Sequence, residues 1–353
     1  FFLAEAATDR GRQVEPRSVL KRIIAKADAM GLNARAAVEF EFFMFHETPE
    51  SVREKNYHNL KPLTPGFFGY SLLRAGREHS FYEKLLTMCG DMNMPLEGLH
   101  TETGPGVLEA AIEVCDILTA GDRATLFKTF TKILAQKNKL MATFMAKWSL
   151  DYPGQSGHIH LSLQDKNGKG LFFDKSKEHN ISDTMRHFIG GQELLMPELL
   201  AMIAPTVNSY TRLIPGYWAP IYAAWGIENR TTALRVIGSS EKSMRVEYRV
   251  AAADQNPYLA LAAALASGLY GIEHKIEPRP RVVGNGYEDA AAKKYPLPHT
   301  LGMAAEKMNQ SKIARTLFGD LFVDHYTATR DFEHRQSLKA ITDWQLARYF
   351  EII

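Results

Sequence analysis

The chain of 353 residues is long enough to fold as one large domain or two. Its 42 basic and 40 acidic residues nearly cancel, and no long run of one sign occurs, so nothing favours nucleic acid or an anionic membrane as a partner. The 2 cysteines, Cys89 and Cys115, cannot build a disulfide framework, which fits a reducing compartment and predicts a cytoplasmic protein. The most apolar segment, residues 257–272, is shorter than the ~20 residues that span a bilayer.

The first elements predicted along the chain are a helix over residues 16–30 and a strand that contains Val38–Phe43. Glu39 and Glu41 share one face of that strand, because residues two apart point to the same side, and the phenylalanines between and after them face a core. Neighbouring carboxylates cost free energy unless a cation compensates them. The strand is therefore either half-exposed, with two solvated glutamates, or one wall of a cation-binding site.

Three later strand-like segments also carry polar side chains on one face and apolar side chains on the other. The first of them contains a Gly-Pro-Gly turn at residues 104–106 that separates two extended pieces. The polar residues of the three segments are Glu102 and Glu109; His158, His160 and Ser162; and Arg245, Glu247 and Arg249. Any one segment is best explained as an amphipathic strand with a solvated side, but the set favours a shared site.

A common cavity for these faces would hold one histidine and five carboxylates, which cannot all stay ionised in a partly buried site without cations. The six residues are Glu39, Glu41, Glu102, Glu109, His158 and Glu247. Oxygen-rich sites of this kind suit Mg²⁺ or Mn²⁺. Six ligand groups are enough for two ions and leave positions for phosphate and water, as enzymes of phosphoryl transfer require.

Helical periodicity predicts four further helices, which cover residues 81–92, 123–139, 184–203 and 256–272. The last would begin with Asn256 as N-cap and Pro257 at its first position. Residues 66–76, rich in glycine and aromatic side chains, indicate a loop near the polar faces. Helices interspersed with alternating strands predict an α+β domain, with a curved antiparallel sheet that is polar on its concave face and carries helices outside.

In order and spacing, the motifs resemble those of the glutamine synthetase catalytic domain, over residues 16–276. The matching segments are the Glu-x-Glu strand at 39–41, the His-x-His-x-Ser-Leu strand at 158–163, the flap at 208–217, and residues 229–231, 245–249 and 256–259. The resemblance implies one glutamine synthetase-type catalytic domain over residues 1–353, and we expect an N-terminal β-grasp domain to be missing from this chain. It also implies a ring-shaped homo-oligomer whose active sites are shared between subunits.

The resemblance further implies an ATP-dependent ligase, in which glutamate is converted to γ-glutamyl phosphate and an amine then displaces the phosphate. One Mg²⁺ or Mn²⁺ ion would be held by Glu41, Glu102 and Glu109, and a second by Glu39, His158 and Glu247. Glutamate would contact the backbone of Gly154 and the side chains of Arg212 and Arg249, and Arg230 would stabilise the phosphoryl group. The ATP site would be lined by His160, Ser162, Arg235, Lys242 and Arg245.

The chain departs from the ammonia-using members at Trp218, where their flap carries a glutamate that helps to hold ammonium. An indole face can contact an alkylammonium group through a cation–π interaction worth about 0.5–2 kcal/mol; alternatively, Trp218 is a packed lid residue. Together with residues 101–106, Trp148 and residues 226–230, it resembles the γ-glutamylmethylamide synthetase branch, so the implied substrates are glutamate, ATP and a methylamine-type amine. A glutamine synthetase that uses ammonia and an inactive structural assembly protein of the family are the alternatives.

Overall fold

A computed structural model describes residues 3–352, and the strands among them form one sheet. The strands are β1 (Asn33–Phe45), β2 (Leu96–Thr101), β3 (Val107–Ile112), β4 (Cys115–Asp116), β5 (Met141–Thr143), β6 (Gly157–Gln164), β7 (Trp225–Ile227), β8 (Leu234–Ile237) and β9 (Arg245–Tyr248). The sheet has the order β2-β3-β1-β6-β9-β8-β7, and the short strands β4 and β5 also pair with β1. The long strand β1 therefore organises the sheet.

The strand pairs are antiparallel except for β7 and β8, which run parallel. The loop of residues 228–233 returns the chain to the start of β7, where Leu234 N donates to Ala224 O at 3.1 Å. The predicted α+β class is confirmed, but the sheet is mixed rather than wholly antiparallel.

The helices among the described residues surround this sheet. They are α1 (Asp9–Val14), α2 (Pro16–Ala29), α3 (Pro49–Glu54), α4 (Leu72–Arg77), α5 (His79–Asp91), α6 (Ile117–Lys137), α7 (Asp183–Ile203), α8 (Val207–Arg212), α9 (Pro257–Glu273), α10 (Leu301–Gln310), α11 (Lys312–Phe318), α12 (Asp320–Ser337) and α13 (Asp343–Tyr349). All five predicted helices are present, whereas α1, α3, α4, α8 and α10–α13 fall outside the predicted set. Helix α4 overlaps residues 66–76, which were predicted to form a loop. The helix predicted from residue 123 begins earlier, because the Asp116 side chain accepts a hydrogen bond from Thr119 N and caps α6.

The apolar core lies behind β1, on the face opposite its glutamates. Phe40 and Phe42 are fully buried there, and Phe42 stacks on Phe144 with 5.1 Å between ring centroids. Phe127 of α6 packs against both of these strand residues. Helices α2 and α6 contact β1, and α9 packs against α2, α6 and α7. One face of the strand is thereby fixed by packing, which leaves Glu39 and Glu41 on the other face.

Helix α9 is a buried, closely packed helix, as its sequence predicts. The Asn256 side chain accepts a hydrogen bond from Leu259 N, and Pro257 occupies the first helical turn. A side chain at Gly268 would lie 2.1 Å from the Phe188 ring, so glycine permits the close contact with α7. Within residues 3–352, no helix combines the length and the apolar character that crossing a membrane requires.

Candidate active site

A cavity of about 520 Å³ opens on the polar face of the sheet. Strands β1, β3, β6 and β9 and the turn after β2 bring all six residues predicted to bind metal to its wall: Glu39, Glu41, Glu102, Glu109, His158 and Glu247. The fold therefore assembles in one place the ligand-type groups that the sequence distributes over four segments.

His158 lies at the point where three strands meet. It faces Glu39 in the register of β6 and β1, with 3.1 Å between His158 Nδ1 and Glu39 Oε1. Glu247 Oε1 lies 3.3 Å from the same nitrogen. The second ring nitrogen, His158 Nε2, is buried and has no hydrogen-bond partner within residues 3–352. An imidazole beside two carboxylates is a donor set that suits a divalent metal ion.

Two groups of side chains place their potential ligand atoms within 4.8 Å of one another: Glu39, His160 and Glu247, and His100, Glu102 and Glu109. His160 is predicted from the sequence to line the ATP site, and the sequence suggests no role for His100. His100 Nε2 lies 3.6 Å from Glu109 Oε1 on the neighbouring strand. The spacing of two residues between His100 and Glu102, the same spacing that singled out Glu39 and Glu41, is the signal that would have found it.

The electrostatics of the cavity indicate an excess of negative charge. Burial and the charges of Glu39 and Glu41 raise the pKa of the Glu109 carboxyl well above its ordinary value. Burial also acts to raise the pKa of Glu39, but hydrogen bonds from His158 and His160 outweigh it and lower that pKa. A bound divalent cation would allow Glu109 to ionise and act as a ligand. The residues present therefore fit Mg²⁺ or Mn²⁺.

Arginines surround one end of the carboxylate cluster. Glu247 pairs with Arg249 Nη1 at 2.5 Å and with Arg235 Nη1 at 3.1 Å. Arg245 Nε donates to His160 Nδ1 at 3.2 Å. All three arginines line the cavity, so its wall offers guanidinium groups to anionic substrates beside the candidate metal ligands.

Tyr70 lies between a predicted metal ligand and the predicted catalytic arginine. Its hydroxyl donates to Glu102 Oε1, and burial together with this carboxylate raises the pKa of Tyr70 to about 12. A hydrogen bond with Tyr70 in turn raises the pKa of Arg230. The backbone of Tyr70 is left-handed, with φ 56°. The sequence predicted a loop near the site here but did not single out this tyrosine.

The walls formed by residues 153–154 and by Tyr217 and Trp218 complete the cavity. A side chain at Gly154, the position predicted to bind glutamate, would lie 2.5 Å from Ala146 O, so glycine permits this wall to pack closely against the chain behind it. Trp218 has a left-handed backbone, with φ 58°, and a side chain that is 60% exposed. The Trp218 side chain is therefore not packed in the core of this chain.

Arg212, predicted to bind glutamate, lies buried behind the cavity wall. It is 2% exposed, does not line the cavity, and donates to Val250 O at 3.0 Å, Arg249 O at 3.1 Å and Ser156 Oγ at 2.8 Å. Its guanidinium is occupied by these internal hydrogen bonds. The geometry makes Arg212 a support for the cavity wall, and its contact with glutamate stays a prediction.

The predicted ATP-site residues divide between two adjoining cavities. His160, Arg235 and Arg245 line the first, whereas Ser162 and Lys242 line a neighbouring cavity of about 270 Å³. The residues common to both are Glu39, His160 and Arg245. Arg35 and Glu97, for which the sequence suggested no role, also line the second cavity. The two cavities thus adjoin each other at residues of β1, β6 and β9.

A family model that describes the catalytic domain of glutamine synthetase matches residues 13–349. The chain belongs to the glutamine synthetase family. Type-1 glutamine synthetase 2 of Dictyostelium discoideum is 46% identical over 343 residues, which are 96% of this chain and 65% of that protein. Glutamate–isopropylamine ligase of a Pseudomonas species is 36% identical over 340 residues, 96% of this chain and 74% of the ligase. The chain thus spans less than two thirds of the Dictyostelium relative.

A solved structure agrees with this membership. The ADP complex of GmaS matches the fold with a TM-score of 0.86 at 27% sequence identity, covering 96% of this chain and 78% of that one. The resemblance to the glutamine synthetase family and to its glutamate–amine ligases is confirmed by these matches. The glutamine synthetase-type fold predicted from the motifs is confirmed as well.

Proposed function

We propose that the chain is the catalytic part of an ATP-dependent ligase that joins the γ-carboxylate of glutamate to a small amine. The observation that carries the proposal is the convergence of six candidate metal ligands with Arg230, Arg235 and Arg249 on one cavity. Membership of the glutamine synthetase family supports the same chemistry. An inactive assembly protein is not favoured, because the cavity retains its full set of charged groups.

The proposed reaction has two steps. A γ-carboxylate oxygen of glutamate attacks the γ-phosphorus of ATP, so that ADP leaves and γ-glutamyl phosphate forms. The amine nitrogen then attacks the acyl carbon, phosphate leaves, and the amine loses a proton. Mg²⁺ or Mn²⁺, held by the six candidate ligands, would supply charge stabilisation on the phosphoryl oxygens. Arg230 neutralises the same oxygens, because a guanidinium matches phosphate geometry with two donors.

The chain's own residues position the substrates. Gly154 and Arg249 both line the cavity. The backbone at Gly154 offers an acceptor for the ammonium group of glutamate, and the guanidinium of Arg249 offers donors for a carboxylate of glutamate. ATP extends from the phosphate-binding arginines, Arg235 and Arg245, towards Ser162 and Lys242 in the second cavity. This arrangement leaves the γ-phosphate beside the carboxylate cluster, where the first step takes place.

Trp218 favours an organic amine of the methylamine type over ammonia as the nitrogen donor. Its exposed indole lies at the cavity wall and offers an aromatic face to an alkylammonium group. The Pseudomonas relative is named for isopropylamine, which supports an amine ligase. The Dictyostelium relative is named a glutamine synthetase, which keeps ammonia as the second candidate. The proposal includes a ring-shaped homo-oligomer with shared active sites.

The experiment measures phosphate release by the full-length protein with ATP, Mg²⁺ and glutamate against ammonia, methylamine, ethylamine and isopropylamine, with products identified by mass. The proposal predicts strong turnover with an alkylamine and weak turnover with ammonia. The best turnover with ammonia would establish the glutamine synthetase alternative. No turnover with any amine in an intact oligomer would contradict the ligase and favour an assembly protein.

A further inference from the structure

Lys147 is a buried cation next to Tyr152 and Tyr217. Neither the proposed reaction nor the sequence motifs assign a role to this lysine. It lies between β5 and β6 and is 4% exposed. Within residues 3–352, the hydrogen-bond acceptor of its ammonium group is a main-chain carbonyl oxygen and not a carboxylate. A buried charge without an opposite charge is costly, and burial lowers the pKa of Lys147. The contacts of this ammonium group therefore have to offset that cost.

Those contacts connect two walls of the cavity. Lys147 Nζ donates to Tyr152 O at 2.7 Å, directly before residues 153–154 of the first wall. The same Nζ lies 4.4 Å from the centroid of the Tyr217 ring, beside Trp218 in the second wall. Both distances fall within the ranges of a hydrogen bond and a cation–π contact. One ammonium group therefore links the two loops that form these walls.

The backbone of Lys147 is itself held in place. Asn208 of α8 accepts from Lys147 N at 2.9 Å and donates to Lys147 O at 2.7 Å. Helix α8 is capped by Thr206, and Asp254 accepts hydrogen bonds from Thr206 and Ser209 at 2.6 and 2.8 Å. The backbone of Lys147 is thus fixed by α8, and its side chain reaches the loop of Tyr217 and Trp218. The backbone of this loop is left-handed at Trp218.

The first wall is anchored on its other side by aromatic packing. The Tyr152 ring lies 5.5 Å from the Trp148 ring and 5.3 Å from the Phe67 ring, and Trp148 contacts Phe43 in the cavity wall. Tyr217 shares no such ring contact among the described residues, so the cation–π contact with Lys147 is its main side-chain anchor. Removing the ammonium would release the second wall while the first remains partly held.

We propose that Lys147 is a positioning residue that sets the distance between the wall at residues 152–154 and the wall at Tyr217 and Trp218, and thereby decides which amines fit the cavity. The part of this role that concerns amines rests on the proposed ligase function. Lys147 does not touch the reacting atoms in this account; it acts through Tyr217.

The test compares hydrogen exchange of the full-length protein with that of Lys147→Met, Lys147→Arg, Tyr217→Leu and Tyr217→Phe, because exchange requires no activity. Lys147→Met and Tyr217→Leu should speed exchange over residues 213–222 by between about threefold and thirtyfold, the range of a lost cation–π contact. The arginine and phenylalanine variants keep a cation and a ring and should stay near wild type. Lys26→Met, which removes a surface ion pair with Glu273, is the control for loss of a lysine charge.

The double variant Lys147→Met/Tyr217→Leu should exchange no faster than either single variant, because both remove the same contact. Unchanged exchange over residues 213–222 in Lys147→Met, or additive effects in the double variant, would overturn the link. If the link holds, Lys147→Met should reduce the preference for small over bulky amines about tenfold in kcat/KM and leave the KM for ATP unchanged. Loosened loops with unchanged amine preference would overturn the specificity role, whereas a wild-type protein without amine turnover would instead contradict the ligase proposal.

Discussion

Glu39 of β1 and His158 of β6 face each other in the antiparallel register, with 3.1 Å between Glu39 Oε1 and His158 Nδ1. Glu247 of β9 reaches the same imidazole nitrogen at 3.3 Å. Three strands thus contribute one ligand-type group each to one point, and the strand register rather than a loop sets their positions. Substitution of these side chains should therefore test chemistry while the sheet remains folded.

Removal of a candidate metal ligand should abolish ATP turnover. Glu247→Ala and Glu109→Ala should each lower kcat at least about a hundredfold, because a charge that stabilises the phosphoryl oxygens loses its support. Glu113→Ala is the matched control, since Glu113 is an exposed glutamate just beyond β3. The measurement is ADP formation with glutamate and methylamine. Turnover that survives both ligand substitutions would contradict the metal assignment.

Metal binding should release a proton at neutral pH. The pKa of Glu109 is raised by burial and by Glu39 and Glu41, so its carboxyl is protonated in the metal-free fold, and that protonated form is lost as pH rises through the raised pKa. A divalent cation displaces the proton, so affinity should increase with pH. Calorimetric titration of Mn²⁺ in two buffers of different ionisation enthalpy measures the release.

Glu109→Gln supplies the control for this titration, because an amide of the same shape cannot lose the proton. The variant should bind Mn²⁺ with at least about tenfold lower affinity and with less proton release than the wild type. Equal proton release in the variant and the wild type would show that another group titrates.

Substitution of Arg212 should lower the stability of the fold, whereas substitution of Arg249 should weaken glutamate binding. Arg212→Met leaves Val250 O, Arg249 O and Ser156 Oγ without their buried donor, so it should lower the free energy of unfolding by about 2–5 kcal/mol. Arg249→Lys keeps a charge but loses the fork at the cavity, so it should raise the KM for glutamate about tenfold with little change in stability. Urea unfolding and glutamate saturation curves separate the two effects. A raised KM for glutamate with full stability in Arg212→Met would instead support the predicted contact between Arg212 and glutamate.

Trp218 should govern the choice of amine. Trp218→Glu replaces an aromatic face by a carboxylate that accepts hydrogen bonds from ammonium, so preference should move towards ammonia about tenfold in kcat/KM. Trp218→Phe keeps the aromatic face and should retain alkylamine use. The measurement is competition between methylamine and ammonia with mass detection of both products. An unchanged product ratio in Trp218→Glu would mean that the indole does not contact the amine.

The sequence predicts the polar face of the sheet well, because side chains two residues apart in a strand lie on the same face. Alternation alone places Glu39 and Glu41 on one side of β1, and a cavity requires only that neighbouring strands do the same. Direction within the sheet is harder to predict, and the parallel pairing of β7 with β8 depends on the path of residues 228–233. Helices α10–α13 escape prediction in part because α12 buries few of its residues and α13 none.

Sequence patterns do not give the direction in which a side chain points at the site. Arg212 belongs to a motif that resembles a substrate contact, and no local pattern predicts the hydrogen bonds that its guanidinium donates to main-chain oxygens. Tyr70 belongs to a loop, where the absence of periodicity hides which aromatic residue faces the cavity. His100 could have been predicted from its spacing of two residues to Glu102, the same spacing that relates Glu39 to Glu41.

The proposed ligase reaction depends on the formation of γ-glutamyl phosphate, and an oxygen-transfer measurement tests this step directly. The full-length protein would be supplied with ATP, Mg²⁺, methylamine and glutamate labelled with ¹⁸O in its γ-carboxylate. Because that carboxylate oxygen bridges carbon and phosphorus in the acyl phosphate, the released phosphate should carry one ¹⁸O atom. Amide product together with unlabelled phosphate would contradict the proposed mechanism.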